Sequence, residues 1–285
     1  MADPDEGVTA DGLIRTGVHR DRVPSAFEAV LAEAVGLVGT VPGASLLLYG
    51  SVATGTTDPT RSDVDLLSVG LSAERTTVLG RRLGEQYADR CRGVDVTPVP
   101  EGAFDGAGDE AYGWRVFLRH YCLPLVGPGP DEVVPDLEPG YAADARAARG
   151  FNGDLAQHLG RWREDAADDT TSPGGLAVRV ARKTLLALTG LVSVHDGTWT
   201  TDRAKAAGRW SGVEPAYAAE LARLLGWSAS ARRPTGRRPA RDDLDRVLAD
   251  DGVVGVVAAR FTDLVGMWDE PVPRRERQST PHSAE

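Results

Sequence analysis

Cysteine is almost missing from this chain: Cys91 and Cys122 are the only two in 285 residues, with no paired spacing and no histidines set around them. That excludes a disulfide framework and a thiolate zinc site, and both residues are expected as small core side chains. Long apolar runs are also missing, since no stretch approaches the roughly 18 to 20 residues that a membrane helix requires. The acidic start Met-Ala-Asp-Pro-Asp-Glu lacks the basic region of a signal peptide. The expectation is a cytoplasmic protein with no membrane partner. Positive charge is in deficit, 32 Lys and Arg against 42 Asp and Glu, for a formal net charge of −10. Such a chain has no overall attraction to nucleic acid, and the basic stretch Arg232-Arg233 with Arg237-Arg238 and Arg241 is expected to be a solvated loop. No internal repeat is present.

What remains is an ordinary globular composition, 41% hydrophobic and 26% charged, long enough for two domains with a core each. Residues 1–22 are polar and rich in Gly and Asp and are expected to fray, as is the charged tail 271–285. Helical spacing over residues 26–38 is followed by two short apolar runs, Ala44–Tyr49 and Val64–Val69, that read as buried strands, with turn signals at Gly55, Asp58-Pro59 and Ser62 between them. A helix over 72–90, a strand over 94–99 and a helix over 111–121 come next. The run Leu123–Pro130 is dense in Pro and Gly and is the best candidate for a domain boundary. Beyond it helical periodicity dominates, so the expected domains are 23–130, with a sheet, and 131–270, a helical bundle.

The chemistry concentrates in the first domain. Gly50-Ser51 closes a predicted strand, where a residue without a β-carbon lets the backbone approach a phosphate and the Ser hydroxyl can bond its oxygens. Eleven residues later Asp63-Val64-Asp65 opens the next strand, and the two-residue period puts both carboxylates on one face. Such a pair suits Mg²⁺, which takes one or two carboxylates and completes its shell with phosphate oxygens and water. If the strand carrying Asp95 lies beside them, three acids converge, a grouping whose repulsion a metal ion would relieve. The third carboxylate could then accept a proton from an attacking hydroxyl. Ser62 stands in the same loop, after Arg61, and Arg182-Lys183, Arg203 and Lys205 are cations that could meet phosphates or simply be solvated. Trp199, Trp210, Trp227 and Trp268 read as core, and His120 and His195, without ligand spacing, as structural. Asp165, Asp168 and Asp169 could face a polycation.

The combination Leu48-Tyr49-Gly50-Ser51, then Asp63-Val64-Asp65-Leu66, then Val94-Asp95-Val96 resembles the signature of the DNA polymerase beta-like nucleotidyltransferase superfamily. Within it the chain is similar to bacterial aminoglycoside adenylyltransferases that modify streptomycin and spectinomycin. Further likenesses are Val94-Asp95-Val96-Thr97 to that family's Glu-Val-Thr strand, and Ala181–Gly190 and Asp196–Thr201 to its C-terminal helix and turn. The resemblance implies a two-domain α+β/α fold, an N-terminal mixed-sheet nucleotidyltransferase domain and a C-terminal helical bundle. It implies Mg²⁺ on Asp63, Asp65 and Asp95, with Asp95 as catalytic base. The nucleotide would meet Gly50, Ser51 and Ser62. The family's ATP-contacting Lys falls on Asp202 here, so Lys183, Arg203 or Lys205 would supply that charge. The implied reaction moves AMP from ATP to a hydroxyl of a small aminoglycoside-like molecule, in a monomer or dimer. A protein or RNA hydroxyl as acceptor, and a silent nucleotide-binding module, are the alternatives.

Overall fold

In the computed structural model the described residues are 3–57, 62–168, 170–230 and 239–268. Arg61, Asp58-Pro59, Asp169, Arg232-Arg233, Arg237-Arg238 and the tail 271–285 lie outside them. The chain opens with a small antiparallel hairpin, β1 (Gly7–Val8) and β2 (Ile14–Arg15), and 3-10 turns at Arg20–Arg22 and Ser25–Phe27 lead into helix α1 (Glu28–Val38). Strand β3 (Ser45–Tyr49), the short helix α2 (Gly50–Ala53), strand β4 (Val64–Val69), helix α3 (Ala73–Gln86) and strand β5 (Val94–Pro98) follow, then helix α4 (Asp109–Tyr121) and strand β6 (Leu123–Val126). The remainder is helical: α5 (Pro130–Val133), α6 (Ala145–Asn152), α7 (Leu155–Ala167), α8 (Pro173–Asp196), α9 (Arg203–Val213), α10 (Ala218–Ser230), α11 (Arg241–Leu248) and α12 (Val253–Leu264).

Local chemistry explains the boundaries. Ser72 caps α3 by accepting the Arg75 N–H at 3.3 Å, and Asp144 caps α6 by accepting the Ala147 N–H at 2.9 Å. Pro173 opens α8 at a position that needs no N–H, and Gly197 closes it in the left-handed region at φ 63°. The mixed sheet runs in the order β5-β4-β3-β6, with β4 and β5 parallel and the other pairs antiparallel. Its two faces divide by the strand period. Leu46, Leu48, Val64, Leu66 and Val96 pack under α1 and α3 with Phe27, Val30 and Leu83. Leu47 and Leu67 point the other way and join the helical core built on Val116, Leu118, Leu176 and Leu188.

Two expectations change. Residues 1–22 do not fray from Asp3 onward: Ile14 is buried in the helical core, and its N–H donates to the Tyr141 carbonyl at 2.9 Å. The proposed boundary at Leu123–Pro130 contains β6, the edge strand of the sheet, where Pro124 costs no internal ladder bond. Gly127 turns at φ +85°, and a Cβ there would lie 2.8 Å from the Ser45 Cα. The Pro and Gly density thus marks a strand edge and a tight turn. The helical core also draws on Tyr112, Val116 and Leu118 of α4, so it does not begin at residue 131.

Helices α4 and α6 cross glycine on glycine. A Cβ on Gly150 would stand 2.7 Å from the Gly113 Cα and 2.8 Å from its nitrogen. Backbone atoms cannot yield as side chains do, so Gly150→Ala should cost about 1–3 kcal/mol of stability. Urea unfolding checks it, and an unchanged midpoint would mean that the two helices separate freely.

Candidate active site

Strand β3 ends at Tyr49, and the chain turns into α2 through Gly50 at φ +76°. Glycine is required twice here, because the left-handed backbone disfavours a side chain and because a Cβ would stand 2.5 Å from the Asp65 Oδ2. The Asp65 carboxylate therefore lies directly over the Gly50 backbone. Half-buried Ser51 follows, and its carbonyl accepts the Thr56 N–H at 3.0 Å, closing the loop. Gly55, at φ +69°, ends the turn against the carbonyl of Arg22, 2.7 Å from where its Cβ would be.

The acids are set by register. Tyr49 pairs with Asp65 across β3 and β4, and Asp65 pairs with Asp95 across β4 and β5, so all three share one row. Asp95 is exposed and Asp65 half-buried. By alternation this row lies on the face that carries Leu47 and Leu67 into the helical core, so the acids look toward the second half of the chain. Asp63 precedes β4, and its carboxylate is held by Arg92 through an Nε bond of 2.7 Å to Oδ1 and a closer one from Nη2 to Oδ2. Among the described residues no three His, Cys, Asp or Glu side chains are grouped to hold an ion. The structure thus brings Asp65 and Asp95 together and turns Asp63 to a guanidinium, an arrangement that relieves the repulsion of three adjacent carboxylates. The Arg92 N–H bonds the Ser62 carbonyl at 3.1 Å and the Val64 N–H bonds the Gly93 carbonyl at 2.9 Å, fixing both loops.

Tyr49 reaches toward Thr97, with 3.4 Å between the two hydroxyl oxygens. Burial, aided by the negative charge of Asp65 and Asp95, pushes its pKa up to about 12, so it remains a neutral phenol beside the acids. From Tyr49 a row of rings crosses into the helical half: Phe117 at 5.2 Å edge-on, Tyr121 stacked on Phe117 at 5.9 Å, then Phe151 at 6.1 Å and Trp199 at 6.4 Å. This row was not legible as a unit in the sequence, because its members come from one strand, two helices and a turn.

The expected cations are placed in different ways. Lys183 Nζ lies 2.6 Å from the Asp154 Oδ1 and donates to the Phe151 carbonyl at 3.3 Å, while His158 Nε2 lies 2.9 Å from the other Asp154 oxygen. Arg182 is exposed, as is Lys205; Arg203 is half-buried. Arg203 and Lys205 stand in the first turn of α9, which Asp202 caps by accepting the Lys205 N–H at 2.6 Å. Capping explains an acid at position 202 without any nucleotide contact. Asp165 pairs with Arg179 at 3.4 Å, and Asp168 accepts from Thr170. His120 accepts the Tyr141 N–H at 2.9 Å, and burial, with Arg119 nearby, lowers its pKa to about 4. Cys91, Cys122, Trp199, Trp210 and Trp227 are buried, as expected of core residues.

Glu6, unremarked in the sequence, proves central. Its carboxylate accepts the Thr201 N–H at 2.7 Å, the Thr201 hydroxyl at 2.6 Å and the Thr200 hydroxyl at 3.1 Å, with Tyr121 at 3.4 Å. Trp199 Nε1 in turn donates to the Tyr121 oxygen at 2.6 Å. A separate cavity of about 440 Å³ lies between α7 and α11, lined by Arg163, Arg241 and Asp245 among others, and touches none of these groups.

Residues 32–94 match the nucleotidyltransferase domain family. No curated protein matches the chain. Among solved structures it is similar to spectinomycin adenyltransferase AAD(9) from Enterococcus faecialis with ATP and spectinomycin, at 11% identity and a TM-score of 0.44, over 82% of this chain and 98% of that one.

Burial raises the pKa of Asp154, but His158 and Lys183 outweigh it, so the carboxyl sits below its ordinary 3.8. A lowered folded pKa gives stability that is present above the unfolded value and lost as pH falls through the folded one. The stability gap between the native chain and Asp154→Asn should therefore be full near neutrality and close as pH drops below 3.8. Chemical denaturation at several pH values measures it, and a gap constant down to the acid limit would contradict the pairing.

Proposed function

We propose that this chain, whose residues 32–94 match the nucleotidyltransferase domain family, moves AMP from ATP to a hydroxyl of a small, aminoglycoside-like acceptor with the help of Mg²⁺. The observation that carries the reading is the row of Gly50, Asp65 and Asp95: a backbone stripped of side chain at the mouth of a strand, with two carboxylates in register beside it. Asp95 is exposed on an edge strand, beside Asp65, and looks toward the helical half.

The donor set fits magnesium. Asp65 and Asp95 supply two hard oxygens from neighbouring strands, and Asp63, one residue before β4, adds a third on leaving Arg92. When bound, the ion would neutralise phosphate charge and align the triphosphate. The chain's own residues do the rest. The Gly50 turn lets the triphosphate approach the backbone, the Ser51 hydroxyl donates to a phosphate oxygen, and Ser62 borders the same loop. Lys183, Arg203 and Lys205 offer the cations for the β- and γ-phosphates from the helical half. Asp95 takes the proton of the acceptor hydroxyl; the acceptor oxygen bonds the α-phosphorus in line, the bond from that phosphorus to the oxygen bridging to the β-phosphate breaks, and pyrophosphate leaves. The acceptor class rests on the sequence likeness and on a net charge of −10, which favours a cationic small molecule over a polyanion.

Incubation with labelled ATP, Mg²⁺ and a panel of aminoglycosides tests the reading, with the protein alone as control acceptor. Label on a drug supports it; label on the protein itself overturns the small-molecule acceptor. Asp95→Asn should lower kcat by about 10²–10⁴-fold, the range for a lost general base, and, as a metal ligand is lost with it, raise the KM for MgATP as well. Asp65→Asn should remove MgATP binding in calorimetry while circular dichroism stays native. Full turnover by Asp65→Asn would refute the metal assignment.

A further inference from the structure

Arg92 stands at the point where the structure departs from a site of three converging acids. Asp63 lies two residues before Asp65, the strand spacing that returns a side chain to the same face, and Asp65 pairs with Asp95 on the neighbouring strand. Asp63 is nonetheless turned to Arg92. The Arg92 Nε donates to Oδ1 at 2.7 Å and Nη2 reaches Oδ2 more closely still, so the guanidinium fork takes both carboxylate oxygens. Among the described residues no three acids remain grouped for an ion. The ion pair is not needed to hold its two loops together. The Arg92 N–H on the Ser62 carbonyl at 3.1 Å and the Val64 N–H on the Gly93 carbonyl at 2.9 Å already tie them through the backbone. The pair is also open to water, with 33% of the Arg92 side chain and 29% of the Asp63 side chain exposed. An ion can reach the carboxylate from solvent, and a released guanidinium would be hydrated.

We propose that Arg92 is an internal cation that holds Asp63 out of the metal site, so that a divalent ion gains its third carboxylate only by displacing the guanidinium. This rests on the nucleotidyltransferase reading above and adds to it a residue that sets how tightly the ion is held. The two cations exclude each other at Asp63. An ion shared with Asp65 needs an Asp63 oxygen at about 2.0–2.1 Å and brings two positive charges with it. A guanidinium on both oxygens would then lie within a few ångströms of that charge, and like charges at such range repel. With the guanidinium in place, Asp63 is neutralised and two acids, Asp65 and Asp95, remain side by side. Without it, three carboxylates converge, and their repulsion favours taking up a cation. Arg92 thus steadies the metal-free chain and lowers its affinity for a free ion. It acts through Asp63 and is a positioning residue.

The full-length chain, stripped of metal with a chelator, and its Arg92→Gln variant are titrated with Mn²⁺ alone, and the free ion is followed by electron paramagnetic resonance. An ion pair closed about nine-tenths of the time reduces apparent affinity about tenfold, so Arg92→Gln should bind Mn²⁺ with a Kd lower by roughly that factor. Arg92→Lys keeps the charge and loses the fork, and should fall between the two. A guanidinium acting only as a nearby charge predicts that Arg92→Lys matches the native chain, and that match overturns the displacement. In an Asp63→Asn background the gain from Arg92→Gln should vanish, because the carboxylate through which it acts is gone; a gain that persists there counts against Asp63 as the route. Equal or weaker Mn²⁺ binding by Arg92→Gln also overturns it, and if that variant loses its native circular dichroism, Arg92→Lys decides alone. If the native chain turns over MgATP while both proteins bind Mn²⁺ equally, the role of Arg92 alone falls. If neither protein binds Mn²⁺ or MgATP, the nucleotidyltransferase site falls and the role of Arg92 with it.

Discussion

The approach of the Asp65 carboxylate to the bare backbone of Gly50 is the contact on which the site depends. It exists because β3 and β4 pair antiparallel in a register that sets Tyr49 against Asp65, leaving the next residue of β3 to turn away under the carboxylate. Any side chain at position 50 would fill the space 2.5 Å from the Asp65 Oδ2. The same register carries outward through β5, whose parallel pairing seats Asp95 next to Asp65. One glycine and one register thus decide where the two carboxylates stand. The hydrophobic alternation of the strands enforces that register, since a slip of one residue would exchange Leu66 and Leu67 between the two cores and turn Asp65 inward.

Position in the fold follows from the sheet's two unequal faces. One is sealed by α1 and α3. The other is shared: Leu47 and Leu67 are buried under helices, while Tyr49, Asp65, Asp95 and Thr97 continue the same rows toward the open end. A sheet whose face changes from apolar to acidic along its strands creates a boundary, and the row of rings from Tyr49 to Trp199 lines it. Aromatic rings suit such a boundary because they bury a large apolar area while their hydroxyl and indole N–H groups still find partners, as Tyr121 and Trp199 do in each other.

Much of this was legible in the residues. The strands over 45–49, 64–69 and 94–98 and the three acids stood out because period-two patterning and a Gly at a strand end are local signals. The strand β6 escaped because Leu123-Pro124-Leu125-Val126 is short and flanked by Pro and Gly, so its composition reads as a linker, whereas pairing with β3 is a long-range event. Arg92 as the partner of Asp63 escaped for a similar reason: the two are neighbours only once β4 and β5 lie side by side. The N-terminal segment was misjudged most. Its polar composition describes a chain in water, yet one of its acids, Glu6, finds donors almost two hundred residues away, at Thr200 and Thr201. Composition cannot report a partner that folding supplies.

The charges around the site share one feature. Asp63 is paired with Arg92, Lys183 with Asp154, Arg22 with Asp5, and the Thr200–Thr201 donors with Glu6. Acids, a lysine, an arginine and backbone donors from both halves of the chain thus stand against internal partners of opposite character. This lowers the self-repulsion that a cluster of like charges would bring to the folded chain. It also sets how a ligand gains affinity there. Binding is then an exchange of partners, and its free energy is the difference between the new contacts and those given up. A strong ion pair gained in place of a strong ion pair contributes little. Selectivity falls to ligands that can satisfy several of these groups at once, because only then do the gains exceed the sum of the displaced internal contacts. A lone anion or a lone cation satisfies one half and leaves the other with its internal partner.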